Sequence, residues 1–236
     1  MDKNVNSDND IYGNEITDKE KQTRLLSILR QTTVKDTAFA AKKYPAGYHT
    51  WKLPSATNSG LTLFKGQRNC LSRLNALVNV GKYVLKDKVV LDIGCNQGNC
   101  LVEIADQIKY GVGIDNNYEL INCATRLSSH FQKHNVSFYT YDVQLESNSL
   151  NRILTFLPYT KPHIIFLLAV CQWIKNWEEI ISWCYENSQH MLFEDNGNKE
   201  QQLQHQQLLD QLYGPENIID LRHREHGRIL LLCCKI

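Results

Sequence analysis

The segment Val89-Val90-Leu91-Asp92-Ile93-Gly94-Cys95-Asn96-Gln97-Gly98 constrains this chain more than any other. A short, nearly continuous apolar run ends at an acid, enters a glycine-bearing turn and opens a helical pattern. Such runs belong to parallel strands covered on both faces. The same alternation continues downstream. Strands are predicted at residues 88–93, 111–115, 136–141, 163–170 and 191–194. Helices are predicted at 67–80, 101–108, 118–133, 150–156, 177–187 and 199–211. Residues 218–221 and 228–234 form a last strand pair, and their join through 223–227 is short enough for a hairpin. That pair should be antiparallel. The expected fold is α/β: a seven-stranded, mostly parallel sheet with helices on both faces and a C-terminal antiparallel pair.

Upstream of this pattern the chain changes character. Residues 1–16 are rich in Asn and Asp and too poor in apolar groups to offset ordering entropy, so a loose tail is expected. Residues 17–65 form an N-terminal helical and loop extension. Leu25, Leu26, Ile28 and Leu29 lie at helical spacing, and a second short helix is predicted at 33–43. Pro45, Gly47, Pro54 and Gly60 then punctuate a long connection that carries Tyr44, Tyr48, His49, Trp51 and Phe64. It is either a strap packed on the surface or a lid over a ligand. Residues 66–236 are the α/β domain. In its first helix Leu71, Leu74, Leu77 and Val78 supply the predicted inner face.

Composition narrows the function classes. Lys plus Arg total 26 against 25 Asp plus Glu, a net charge of +1. A generic polyanion binder would carry a clear basic excess. The eight cysteines are scattered without a CxxC pair, which disfavours both a disulfide framework and zinc. They read as buried structural thiols, and no metal is expected. The polar start MDKNVNSDND is not a secretory signal, and no apolar run approaches the ~20 residues that span a bilayer. A cytoplasmic setting without membrane contact is expected.

Three acids carry the chemistry. Ligands of open α/β sheets bind outside the carboxyl ends of the strands, where the strand order reverses. Asp92 and Gly94 stand at the end of the first strand. Gly94 permits a tight bend, Asn96 is the residue most tolerant of positive φ after glycine, and Gly98 closes the turn. Asp115 ends the second strand, beside Asn116, where an acid can accept from both hydroxyls of a ribose. Asp142 follows the third strand. Its carboxylate can accept from an adenine amino group, while Val143 offers a backbone N–H. A dinucleotide dehydrogenase would need G-x-G-x-x-G, which this turn lacks, and a P-loop is absent.

With its V-L-D-I-G-C-N-x-G core, the chain resembles the class I S-adenosylmethionine-dependent methyltransferases over residues 66–236. The resemblance implies a Rossmann-like fold and S-adenosyl-L-methionine as cofactor. It implies that Asp92, Gly94, Asn96 and Gly98 face the methionine part, Asp115 and Asn116 the ribose, and Asp142 and Val143 the adenine. Leu168 would line the wall beside the sulfonium. Arg68 can pair with the cofactor carboxylate bidentately. Asn96 stands where many members carry Gly.

The acceptor is less legible. Cys171, Gln172, Trp173, Lys175, Asn176 and Trp177 follow the fourth strand. Either the two tryptophans orient a planar substrate, or they form one helix face at i,i+4. Glu194, Asp195 and Asn196 end the fifth strand and either serve a cationic acceptor or act as base, or cap the next helix. His49 is a further possible base or a solvent-facing loop residue. Fragments such as Gly66-Gln67-Arg68, Cys171-Gln172-Trp173-Ile174 and Phe193-Glu194 are similar to small bacterial methyltransferases, and more distantly to RNA methyltransferases. A small-molecule acceptor is the favoured expectation. An RNA partner and a non-catalytic cofactor-binding or partner-binding module are the alternatives, and the sequence leaves the oligomeric state open.

Overall fold

The computed structural model describes residues 18–30, 51–54, 61–64, 66, 68–79, 85–145, 149–158 and 161–235. The expected tail, the helix at 33–43, Tyr44, Tyr48 and His49 lie outside them. The chain divides into two units, residues 1–69 and 70–236. In the first, α1 (Asp18–Arg30) buries Leu25, Ile28 and Leu29 at the expected spacing. The connection read as a strap contains a two-stranded antiparallel sheet, β1 (Trp51–Pro54) with β2 (Leu61–Phe64), Trp51 opposite Phe64. Strands of four residues are too short for their alternation to show against the flanking Pro and Gly.

The second unit opens with α2 (Cys70–Asn79). Then follow β3 (Val89–Ile93), α3 (Asn99–Ile104), β4 (Tyr110–Asp115), α4 (Tyr118–His130) and β5 (Val136–Thr140). Next come β6 (Ile164–Leu168), α5 (Trp177–Asn187), β7 (His190–Glu194), α6 (Lys199–Tyr213), β8 (Ile218–Glu225) and β9 (Arg228–Cys234). The predicted helix at 150–156 is a 3-10 helix. The seven strands lie in the order β5-β4-β3-β6-β7-β9-β8. β9 runs antiparallel to both neighbours, and the other neighbouring pairs are parallel. The order reverses between β3 and β6, which places the switch point beside the glycine turn.

Every residue of β3 is buried. Leu91 and Ile93 join Val112, Ile165, Leu167, Met191 and Phe193 in one core layer. A strand flanked and covered in this way needs no polar alternation, which is why its sequence is nearly all apolar. The closing hairpin is longer than expected. β8 runs on to Glu225 because His226 and Gly227, with φ of 57° and 74°, make the tight turn. Two consecutive positive φ values match the twist of antiparallel strands. A register shift between Asp220 and Arg224, with Arg222 at φ 55°, breaks the alternation that would have extended the prediction.

Two helical faces also differ from expectation. α2 buries Cys70, Arg73, Leu74 and Leu77 and exposes Val78. α6 buries His205, Leu209 and Tyr213, while Leu203, one of the leucines at helical spacing in this segment, is 60% exposed. In both helices a polar residue takes a core position and turns the inner face. A buried polar group needs a partner, and both have one, described below.

The cysteine expectation needs one correction. Cys95, Cys123, Cys171, Cys184 and Cys233 are buried free thiols, but Cys70 and Cys100 are paired in a disulfide joining the first turn of α2 to α3. Their Cα atoms lie 5.8 Å apart, within the disulfide range. A sequence separation of 30 residues hides this proximity. Among the described residues no helix is long and apolar enough to cross a membrane, and no group of acidic, His and Cys side chains could hold a metal ion. Denatured without reductant, the chain should titrate six thiols, and eight after reduction. A count of eight from the start would show Cys70 and Cys100 reduced.

Candidate active site

The turn after β3 is built from left-handed residues. Gly94, Asn96 and Gly98 have φ of 76°, 52° and 72°. Packing explains the two glycines further. A Cβ on Gly94 would lie 2.5 Å from Val170 Cγ2, and one on Gly98 would lie 2.5 Å from Phe138 Cε1. Gly94 therefore lets the ends of β3 and β6 approach, and Gly98 lets the turn settle over β5. The N–H groups of Gly94 and Cys95 both donate to the Ile114 carbonyl, at 2.8 and 3.0 Å. Asn96 Oδ1 accepts from the Gln97 N–H at 2.9 Å, which stabilises its positive φ.

Asp115 ties this turn to the next strand end. Its Oδ2 accepts from the Asn96 N–H and its Oδ1 from the Asn117 N–H, both at 3.0 Å. Asn117 in turn caps α4, accepting from the N–H groups of Glu119 and Leu120. Burial pushes the Asp115 carboxyl up, and the backbone N–H groups of Asn117, Asn96 and Asn116 pull it back. Beyond these N–H groups the carboxylate keeps acceptor capacity for a further donor. Asp142, after β5, is half-buried, with its Oδ1 accepting from the Gln144 N–H at 2.9 Å. Asn116 is exposed and Val143 half-buried.

Asp92 is 3% exposed. Burial raises its carboxyl to about 7, against the attraction of Arg73 and with the repulsion of Asp115. Cys95 beside it is an inert thiol: burial, then the charges of Asp92 and Asp115, push it far up. The edge of the sheet thus presents two acids on adjacent strand ends, joined by a rigid turn. An ammonium placed there would find charge on Asp92, and a diol would find acceptors on Asp115.

On the other side of the switch point, β6 ends at half-buried Leu168 and turns through Ala169, at φ 60°. Asn196 holds this strained corner. Its Nδ2 donates to the Ala169 carbonyl at 2.7 Å, and its Oδ1 accepts from the Gln172 N–H at 3.2 Å. Asn196 is therefore not the cap of α6, which is Asn198 in a capping box with Gln201. Trp173 stands in the short 3-10 turn Cys171–Trp173 and is 71% exposed. Trp177 begins α5 and packs edge-on against His205, ring centroids 4.6 Å apart. The two tryptophans do not share a helix face, because the chain changes element between them. The Lys175 N–H donates to Gln144 Oε1, and Asn176 Nδ2 to the Val143 carbonyl, so the corners after β5 and β6 form one rim.

Glu194 is fully buried. Arg73 Nε lies 3.3 Å from one of its oxygens and Arg228 Nη1 3.8 Å from the other. Arg73 also reaches to 3.9 Å from Glu225 and acts on Asp92, so it links the acids of β3, β7 and β8. Asp195 is held by His205, whose Nδ1 is 3.1 Å from both carboxylate oxygens, and by the Gly197 N–H at 2.9 Å. Arg73 and His205 escaped the sequence reading. The available signal was a polar residue in phase with buried neighbours: Arg73 with Leu74 and Leu77, His205 with Leu209 and Tyr213. Arg68 is buried and belongs to the first unit, and His49 lies outside the described residues.

A family model described as a methyltransferase domain matches residues 65–229. No curated protein matches the chain in sequence. Among solved structures the chain is similar to the N-terminal domain of EvdMO1 with SAH bound, at TM-score 0.56 and 11% identity, over 72% of this chain and 82% of that one. It is similar to magnesium protoporphyrin IX methyltransferase (ChlM) from Synechocystis PCC 6803 with bound SAM, at TM-score 0.51 and 16% identity, over 71% and 78% of the two chains. A third is WbdD, at TM-score 0.55 and 17% identity, where 72% of this chain covers 42% of that one. At these identities the likeness is one of fold.

Two predictions concern the buried charges. Arg73→Met removes a cation 3.3 Å from the buried Glu194 carboxylate, and should cost about 3–5 kcal/mol in urea unfolding. A loss under about 1 kcal/mol would mean that Glu194 is neutralised without Arg73. Asp92 follows the opposite sign. Its folded value of about 7 lies above the ordinary 3.8. Between those values the folded chain holds a proton that the unfolded chain releases, so this group's contribution to stability falls as pH rises through the window. Asp92→Asn should therefore raise the melting midpoint of the ligand-free protein more at about pH 8 than at about pH 5. An equal shift at both would show that Asp92 titrates normally.

Proposed function

Because the chain belongs to the methyltransferase-domain family, we propose that it transfers the methyl group of S-adenosyl-L-methionine to a small-molecule acceptor. The observation that carries this reading is the pair of acids Asp92 and Asp115 on adjacent strand ends, locked by the Asp115 bridge from the Asn96 N–H to the Asn117 N–H. The residues fit the cofactor. Asp92, Gly94, Asn96 and Gly98 would hold its methionine part, Asp115 and Asn116 its ribose, and Asp142 with the Val143 N–H its adenine. Leu168 forms the wall beside the sulfur.

When bound, the cofactor supplies an electrophilic methyl group on a sulfonium. The chain's contribution is positioning. Asp115 is fixed before any ligand arrives, so binding spends little on ordering it. Asp92 ionises readily once an ammonium sits beside it, because the added positive charge lowers its carboxyl from about 7. The rim of Gln144, Lys175 and Asn176 closes the adenine end against the corner that carries Trp173. Exposed Trp173 can stack on a planar acceptor and hold it at near-attack distance from the methyl carbon. Glu194 is already neutralised by Arg73, so it serves as a structural counter-charge rather than as the base. A small acceptor accords with the net charge of +1.

Calorimetric titration with S-adenosylhomocysteine tests the cofactor assignment, and no heat at about millimolar concentration would sink it. Asp115→Ala should weaken that binding by about 1–3 kcal/mol through lost hydrogen bonds. Unchanged affinity would reject the ribose role of Asp115.

A further inference from the structure

A second concave site lies at the opposite edge of the sheet, where β3, β6 and β7 begin and β9 ends. It is a cleft of about 520 Å³ whose walls include Val89, His163, Ser188, Gln189 and three lysines, Lys109, Lys161 and Lys235. Two of the lysines are anchored by the last turn of α5. Lys161 Nζ donates to the Glu186 carbonyl and Lys235 Nζ to the Tyr185 carbonyl, each at 3.2 Å. Lys235 also lies 4.4 Å from the Tyr185 ring centroid. These partners are neutral. Among the described residues neither ammonium forms an ion pair, and each has three N–H donors, so both are positioned without being neutralised.

His163 adds a fixed donor. Its Nδ1 accepts from the Val89 N–H at 3.1 Å, which places the proton of the neutral ring on Nε2. Asp87 and Glu186 are the carboxylates on the walls, against three ammoniums, and Lys88 adds a further cation next to Val89. The positive field registers on His163: burial, then Lys88 and Lys109, depress its protonation. The volume falls in the range of small-molecule sites, roughly 300–1,000 Å³. Its donors are the three ammoniums, the His163 imidazole N–H and the Gln189 amide, set in a wall that is otherwise mostly apolar, while the Ser188 hydroxyl is already engaged by the Cys184 and His190 carbonyls. Anchored ammoniums with a neutral N–H donor beside them are chemistry that receives phosphate oxygens.

We propose that this cleft is a second ligand site, remote from the cofactor edge, that takes a phosphate-bearing small molecule of about nucleotide size. Lys161 and Lys235 hold the phosphate from either side of the α5 terminus, and Lys109 closes the third wall. The site is independent of the methyl-transfer reading, since no residue is shared between them.

The test is calorimetric titration of the full chain with inorganic pyrophosphate at low ionic strength. Wild-type protein should bind saturably, and Lys161→Gln/Lys235→Gln should bind at least about tenfold more weakly with an unchanged melting midpoint. Should the double variant melt early, Lys109→Gln serves as the second variant, with the same direction expected. No saturable binding up to about 10 mM, or equal affinity in wild type and variants, would overturn the proposal. So would binding of a short oligouridylate without any response to pyrophosphate, which would make the cleft part of a polymer track.

Discussion

A parallel strand covered on both faces leaves only its ends for polar chemistry, and β3 is such a strand. All five of its residues are buried. The strand order reverses beside it, so its carboxyl end meets the ends of both β4 and β6. Asp92 is the exception that the rest of the site accommodates. A carboxylate one residue short of the strand end cannot reach bulk water, and burial holds its proton up to about 7. Arg73 offsets part of that cost from α2, and Arg73 must itself be neutralised by Glu194 and Glu225. One acid in a buried strand thus recruits a helix and the ends of β7 and β8 into a single charge network.

The turn that follows answers a different constraint, close approach. Gly94 admits Val170 and Gly98 admits Phe138, so the strand ends sit nearer than side chains would allow. Closeness lets single side chains bridge elements. Asp115 spans the turn and the cap of α4, and Asn196 spans the corners after β6 and β7. Such bridges set ligand-facing groups in advance, which is where a positioning enzyme gains most.

A net charge of +1 conceals an uneven distribution. The cofactor edge gathers Asp92, Asp115 and Asp142. The opposite edge gathers Lys88, Lys109, Lys161 and Lys235 against Asp87 and Glu186. Whole-chain arithmetic averages the two, although they face different ligands.

The fold class, the order of the strands along the chain and the three acids at their ends are legible in the amino-acid sequence. Those follow from local patterns: apolar runs, turn residues and helical spacing. The glycine turn was legible because positive φ has few tolerant residues, and Asn96 was recognisable as one of them. Tertiary structure alone decided which polar residues are paired inside. Arg73 and His205 lie on faces that periodicity assigns to leucines; the partner of Arg73, Glu194, is far along the chain, and His205 reaches back across the turn before α6 to Asp195. It also joined Cys70 to Cys100, separated Trp173 from Trp177 and lengthened β8. It brought Lys161 and Lys235 to one helix end. The ion pair of Arg73, the disulfide and the lysine pair depend on contacts between residues distant in sequence, which no local pattern encodes, because burial is fixed only when the layers pack.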